Sequence, residues 1–597
     1  MCGIVGFNFK DRELLKKMIK TLNHRGPDNH GFYEDSKISL GHARLSIIDL
    51  KKGKQPLKNE KSTVWIVFNG EIFNFQELRR DLEKKDHIFE TDTDTEVIIH
   101  GYEEYGYDIV KKLNGQFSFC IYDAVKRELF IARDRIGIKP LYYYKKDETL
   151  MFASELKAIL QDLRVKRDID KSVIRDYVSY GYVPSPKSIF KNVYKLDPGH
   201  YLIYKLKENR LFLKKYWDLH YVPSKTSFNK AKKELLSKLS NSVQKRLIAD
   251  VPLGAFLSGG IDSSTIVALM SKLKKDVKTF SVGFEGQDDE LELAKKTSDM
   301  YSTDHKEFVV SPAEFDLFPK LVYYADEPFS DSSLIPTYIV SKMAAKHVKV
   351  ALSGDGGDEN FAGYNRYVKN KYERLYSKVP IYNDRFKRIK EIAKEKNDSL
   401  RFIKGNEFFI DSEKDKLLNF KYEQSFKQKH IVNYKDKTNN LLYMDVKTTL
   451  VEDYLKKVDV ASMANSLEVR TPFLDHKFME FSASLPGSYK TKGLDKKHIL
   501  KKAVKGLIPD EVIEGKKRGF SIPLDNWLRK DLKDELYSLT MKCCSRGYFN
   551  KDYVEKLWEE HLSNKRDNRA RLWNLVSFEI WCRIYLDGIK VSKVLKE

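Results

Sequence analysis

The run VPLGAFLSGGIDSSTIVALM (251–270) constrains this chain more than any other stretch. An apolar segment that reads as a strand ends at Leu257, turns through Ser258, Gly259 and Gly260, and reopens as a helix near Asp262. The glycines let the backbone turn tightly and come close to a ligand. The helix start then offers unpaired N–H groups and a positive dipole end to an anion. Ser258, Ser263 and Ser264 add hydroxyl donors. Asp262 is out of place beside a phosphate unless a Mg²⁺ lies between them. The plain alternative is a strand–turn–helix capped by Asp and Ser. Five specified residues at this spacing arise by chance in about one chain of this length in a thousand, which favours the phosphate loop.

The pattern recurs in KTFSVGF (278–284) and VKVALSGDGG (348–357). Strand, glycine turn, helix, repeated, predicts an open parallel α/β sheet. The second loop, LSGDGGDE (352–359), sets Asp355, Asp358 and Glu359 within five positions. Such carboxylates repel one another unless solvated or bound to a cation. Paired with Asp262, one of them could complete a Mg²⁺ site that holds a triphosphate.

The first ~200 residues have a different rhythm. Short apolar or alternating runs predict strands at Val64–Phe68, Gln116–Asp123, Glu128–Ala132 and Leu141–Tyr144, with helices near Arg12–Leu22 and Phe75–Lys85. The pattern loosens around 217–229, and helical periodicity dominates from Lys230. Two domains are expected, 1–215 and 216–597, and 597 residues suffice for both cores.

Composition narrows the function classes. No apolar run approaches the ~18 residues of a membrane helix, and the N-terminus lacks the basic lead-in of a signal peptide. Five cysteines make no disulfide framework, so a reducing cytoplasm is expected. The net charge is +22, but lysine is abundant throughout and no zinc-finger spacing, RNA-binding aromatic motif or basic tail accompanies it. Neither a nucleic-acid nor a membrane partner is expected. The thirteen histidines show no HExxH or other metal spacing.

The N-terminus reads MCGIVGF. Removal of Met1 would place a thiol and a free α-amine on Cys2, a nucleophile with a base beside it; the other reading is a small apolar residue at the start of a strand. An amide attacked by that thiolate passes through an oxyanion that needs donors. FNGEIFN offers the Asn69 side-chain amide and the Gly70 N–H. Arg44 could grip a carboxylate with its planar fork and Asp94 an ammonium, which together describe an amino acid.

At these residues the chain resembles known families. LSGGIDSS is similar to the pyrophosphate loop of the SGGxDS ATP pyrophosphatases. MCGIVG, HRGPD (24–28), GHARLSIID (41–49), NGEIFN (69–74), TDTDTEVI (91–98) and ARDRIGIKPLYY (132–143) resemble the class II, N-terminal-nucleophile glutamine amidotransferases. Joined, the two halves resemble the glutamine-hydrolysing asparagine synthetases, from Cys2 to about Leu586. The resemblance implies an α+β αββα sandwich followed by an α/β open parallel-sheet ATP-pyrophosphatase domain. It makes Cys2 the nucleophile, assigns the oxyanion hole to Asn69 and Gly70, and gives glutamine binding to Arg44, Asn69, Glu71 and Asp94. It assigns ATP to Leu257, Ser258, Gly259, Gly260, Asp262, Ser263, Ser264, Val282, Ser353 and Gly354, and Mg²⁺ to Asp262 and Asp358. In LDKKHILKKA (494–503) it makes Lys497 a catalytic phosphate contact, although by pattern Lys497 is one solvated lysine among several. Asp355 stands where members of this family often carry Glu, and the resemblance gives it a part in ammonia addition.

The reaction so implied is glutamine hydrolysis at Cys2, passage of ammonia inside the protein, and adenylation and amidation of the aspartate side chain with Mg·ATP. DEPFSDSSLIPTYIVS (326–341) and GKKRGFSIPLDNWLR (515–529) resemble a bacterial branch that also amidates cell-envelope acids, so a uronic sugar or peptidoglycan peptide is the alternative acceptor. A tRNA-modifying pyrophosphatase is a third reading, and the glutaminase half argues against it. A homodimer is compatible with the sequence, which does not itself set the oligomeric state.

Overall fold

The computed structural model describes residues 1–284, 289–310, 312–373, 387–421, 426–515 and 522–596. Residues 516–521 of the second branch-like stretch lie outside them. Among the described residues, the first half carries β1 (Gly3–Phe7), β2 (Asn29–Glu34), β3 (Ser39–Arg44), β4 (Leu57–Lys58), β5 (Val64–Ile72), β6 (Gly115–Asp123), β7 (Glu128–Arg133), β8 (Tyr142–Lys146), β9 (Thr149–Ala153), β10 (Val193–Lys195), β11 (His200–Lys205) and β12 (Arg210–Lys215). They form two six-stranded antiparallel sheets, ordered β10-β8-β9-β1-β3-β2 and β12-β11-β7-β6-β5-β4.

The alternation of a strand builds the layers. On β6, Phe117, Phe119 and Ile121 face the helices Phe75–Glu83 and Glu96–Tyr105, where they pack with Leu78, Leu82, Val97 and Ile98. Cys120 and Tyr122 point the other way and meet Ile4, Leu40, Leu150 and Phe152 of the first sheet. On β1, Val5 and Phe7 turn out to Leu15 and Met18 of the helix Arg12–Thr21. That helix is capped by Asp11, whose side chain accepts the Leu14 N–H at 2.9 Å. The result is an αββα sandwich. Every strand and helix anticipated in this half is present, with ends that coincide or shift by up to four residues; β2, β3, β4, β9, β10, β11 and β12, and the helices Glu96–Tyr105 and Lys171–Tyr180, had not been anticipated.

After β12, residues 216–227 carry no helix or strand, and the helix Phe228–Lys245 opens the second half. Its sheet is parallel: β13 (Leu253–Phe256), β14 (Lys278–Phe284), β15 (Asp304–Val310), β16 (Val350–Leu352) and β17 (Glu468–Arg470), ordered β15-β14-β13-β16-β17. The chain runs outward from β13 to β15 and then returns to the other side of β13. That reversal lies between β13 and β16, the place where open α/β sheets bind ligands beyond the strand ends. Both glycine loops emerge there.

The two halves share one apolar core. Tyr177 of the first half lies 5.6 Å ring to ring from Phe578 and donates its hydroxyl to Asn574 O at 2.7 Å. No helix among the described residues is long and apolar enough to cross a membrane.

Candidate active sites

Cys2 lies just ahead of β1, between β9 and β3. Its main-chain N–H donates to Asn69 Oδ1 at 3.0 Å, so the end of one sheet meets β5 of the other. With Oδ1 committed, Asn69 Nδ2 is buried and has no hydrogen-bond partner among the described residues. Gly70 beside it has φ +155°, and a Cβ there would meet Gln116 O at 2.1 Å. Burial pushes the Cys2 thiol up, and the nearby terminal amine opposes that shift.

Arg44 is buried, and its guanidinium donates to the carbonyls of Ile48, Asp49 and Leu50. It clamps the loop beside the site rather than standing open. Glu71 and Asp94 are both buried, and Asp94 accepts the Ile72 N–H at 2.8 Å. Burial and Glu468 push Glu71 well above the usual carboxylate range, and burial raises Asp94 to about 7. In this structure the Met1 ammonium lies 3.1 Å from Glu468 and Arg470 Nη2 lies 3.1 Å from Glu71.

Residues that sequence reasoning missed complete the site. Arg25 Nε donates to Cys2 O at 3.1 Å, and its Nη1 pairs with Glu155 at 2.9 Å and with Asp459 of the second half at 2.7 Å. Arg25 stands in the HRGPD motif, the one signal that could have found it; Asp459, Glu468 and Arg470 carry none.

At the switch point a cavity of about 620 Å³ opens. Every expected nucleotide and metal residue lines it except Ser264. That residue is fully buried and its hydroxyl accepts from Thr297 Oγ1 at 3.1 Å, because one step along a helix turns a side chain by about 100°. Ser263 Oγ closes the loop instead, accepting the Ser258 N–H at 3.1 Å. The second loop packs directly on the first: a Cβ at Gly357 would lie 2.3 Å from Asp262 Cγ.

Lys497 is the clearest departure from its pattern-based reading as a solvated lysine. It is 7 % exposed, holds a left-handed φ of +52°, and its ammonium lies 2.5 Å from Asp262 and 2.6 Å from Asp358. Burial works against its charge, but the two carboxylates outweigh it and hold the ammonium charged. Two carboxylates that reach one ammonium converge on one place. That hard-oxygen set fits Mg²⁺, which takes one or two carboxylates and completes its shell with phosphates and water.

Asp355 is held by the Ser353 hydroxyl at 2.7 Å, and burial raises its pKa. Across the cavity Lys457 pairs with Asp331 at 3.1 Å and donates to Ser333 Oγ at 2.8 Å. Lys457 belongs to the helix Lys456–Met463, which continues a π-helical stretch, Leu450–Leu455. This helical segment also walls a second cavity of about 40 Å³ between the halves, lined by Glu155, Asp326, Leu455, Lys456 and Asp459 among others.

A buried thiol ahead of an αββα sandwich, joined in one chain to a glycine-loop cavity on a parallel sheet, is the arrangement of a two-headed glutamine amidotransferase, and comparisons with known proteins agree. A glutamine amidotransferase domain model matches residues 1–217 and an asparagine synthase model matches residues 234–583. Asparagine synthetase (glutamine-hydrolysing) 1 of Bacillus subtilis (strain 168) is 36 % identical over 623 residues, covering 98 % of this chain and 97 % of the relative. Asparagine synthetase (glutamine-hydrolysing) 3 of the same organism is 30 % identical, covering 87 % of this chain and 86 % of the relative. The chain belongs to the asparagine synthase family, whose members are ligases that draw amide nitrogen from glutamine and use ATP.

Proposed function

We propose that this enzyme makes asparagine from aspartate, glutamine and ATP. The observation that carries the reading is the helix Lys456–Met463, which walls both cavities and, through Asp459 and Arg25, reaches the Cys2 carbonyl. Two sites so joined suit a reaction in which one makes ammonia and the other uses it.

After Met1 is removed, the Cys2 α-amine takes the thiol proton and the sulfur attacks the glutamine carboxamide. The oxyanion is met by Asn69 Nδ2 and the Gly70 N–H. Ammonia leaves, a thioester remains, and water releases glutamate. Arg44, Glu71 and Asp94 hold the amino-acid end of glutamine, with Arg44 also shaping the loop it clamps. Ammonia crosses by way of the smaller cavity.

In the larger cavity the two glycine loops receive the triphosphate, and Leu257 and Val282 flank the base. Asp262 and Asp358 would hold Mg²⁺, which when bound offsets phosphate charge. The acceptor carboxylate attacks the α-phosphorus and pyrophosphate leaves. Ammonia then adds to the acyl carbon and AMP departs with the acceptor oxygen. Lys497 meets the charge that builds on the phosphates, and Asp355 is placed to take the proton that ammonia gives up.

Aspartate is favoured by the names of the relatives and by Lys457 standing among Asp331 and Asp453, a mixed-charge wall suited to an acceptor with both amino and carboxylate groups. A larger cell-envelope acid is the second reading, favoured by the 620 Å³ cavity and the short Asp355 side chain. Measuring AMP and pyrophosphate with a panel of acceptor acids tests the choice.

A further inference from the structure

The strand β17 belongs to the synthetase sheet, yet its side chains end in the glutaminase. Its inner edge pairs with β16, Leu352 opposite Arg470, and Arg470 O accepts the Ser353 N–H at 2.9 Å. From its outer edge Val469 O accepts from Gln116 Nε2 at 3.3 Å, Glu468 reaches the Met1 ammonium, and Arg470 reaches Glu71. Glu468 and Arg470 are fully buried. Arg470 is fixed on three sides: Nε to Glu468 at 2.6 Å, and Nη1 to Arg246 O at 2.9 Å and to Ile248 O at 2.6 Å. One guanidinium therefore serves a pocket holding Glu71, Asp94 and Glu468. Removing it would leave three buried carboxylates with the N-terminal amine and Lys139 as their nearby positive charges, and a buried charge stripped of its partner is strongly disfavoured.

We propose that Arg470 is a positioning residue of the glutaminase, supplied by the synthetase half: it gives Glu71 its countercharge and its aim toward the ammonium of glutamine, so that the glutamine pocket is completed from the other half of the chain. This rests on the reading of Glu71 as a glutamine contact. The groups that face Glu71 are Asp94 from its own half, Glu468 and Arg470 from β17, and the N-terminal amine; Lys139 in turn acts on Glu468. Their signs set opposite expectations for two neighbours. Loss of the Arg470 charge favours protonated Glu71, whereas loss of the Glu468 charge removes a repelling neighbour and leaves Arg470 to Glu71 and Asp94.

The test is the KM for glutamine against pH in the intact, Met1-processed enzyme, read as glutamate release. Arg470→Met should raise KM at pH 7 tenfold or more with a much smaller change in kcat, and should move the acid rise of KM upward by about one pH unit. Arg470→Lys should recover part of the loss. Glu468→Gln should move the acid rise downward, an improvement that damaged packing does not produce. Synthesis driven by added ammonium reports whether each variant is folded. Folded Arg470→Met with an unchanged KM profile, or Glu468→Gln shifting the same way as Arg470→Met, overturns the proposal. If Glu71→Gln leaves KM for glutamine unchanged, the reading of Glu71 has failed, and the proposal with it.

Discussion

Asn69 takes the Cys2 N–H on its side-chain oxygen at 3.0 Å, and its amide nitrogen is thereby left buried with no partner among the described residues. An unpaired buried donor on a residue that holds the Cys2 backbone is what an oxyanion formed at Cys2 would require. Asn69→Ala should lower kcat for glutamine hydrolysis by 10²–10³, about 2.7–4 kcal/mol, with KM changed far less. Steady-state glutamate release checks it.

Cys2→Ala should abolish glutamine-dependent synthesis and keep synthesis from added ammonium, because the adenylating loops lie on another sheet. Retained Met1 should act like the mutation. It ties up the Cys2 amine, and its own ammonium sits against Glu468 in the pocket proposed for glutamine. N-terminal mass analysis of active enzyme should find Cys2 first.

Lys497 pairs with Asp262 and Asp358 in this structure. Asp262→Asn and Asp358→Asn should each weaken the Mg²⁺ dependence of AMP release and spare glutamine hydrolysis. Lys497→Ala should slow AMP release by about 2.7–4 kcal/mol, the usual loss for a charged transition-state contact. An unaltered Mg²⁺ titration in both Asp variants would reject the metal assignment.

The raised carboxylates make glutamine binding depend on pH. Burial lifts Asp94 from the ordinary 3.8 to about 7. Between those values the folded chain holds a proton that the unfolded chain has released. The group's contribution to stability is therefore complete below pH 3.8 and is lost as pH rises through about 7. A bound ammonium supplies the missing countercharge. Glutamine should bind Cys2→Ala about tenfold more tightly per pH unit as pH rises toward 7, then level off, and should raise its Tm more at pH 8 than at pH 6. A flat affinity from pH 6 to 8 would contradict this.

Much of the frame was legible because local chemistry demanded it. β6 alternates between two buried faces, so it read as a strand, and the SGG and SGDGG turns announced a parallel sheet. What stayed hidden depends on contacts distant in sequence. Lys497 looks like its neighbours until the chain brings it 235 positions back to Asp262. Arg25 and Asp459 are 434 positions apart, and nothing local marks Glu468 as a partner of the N-terminus or Arg470 as a partner of Glu71. Ser264 failed for a smaller reason: motif spacing names residues, but helix rotation decides which of them face the ligand.

The central claim is that glutamine nitrogen and an ATP-activated acid meet in one protein, with aspartate as the acid. It is tested most directly with amide-¹⁵N glutamine, Mg·ATP and aspartate carrying ¹⁸O in its β-carboxylate. The account predicts that aspartate stimulates pyrophosphate release, that ¹⁵N appears in the asparagine side chain, and that one ¹⁸O appears in AMP. Aspartate that fails to stimulate pyrophosphate release, while a uronic acid or a diaminopimelate-containing peptide succeeds, would contradict the asparagine reading and give its place to the second acceptor.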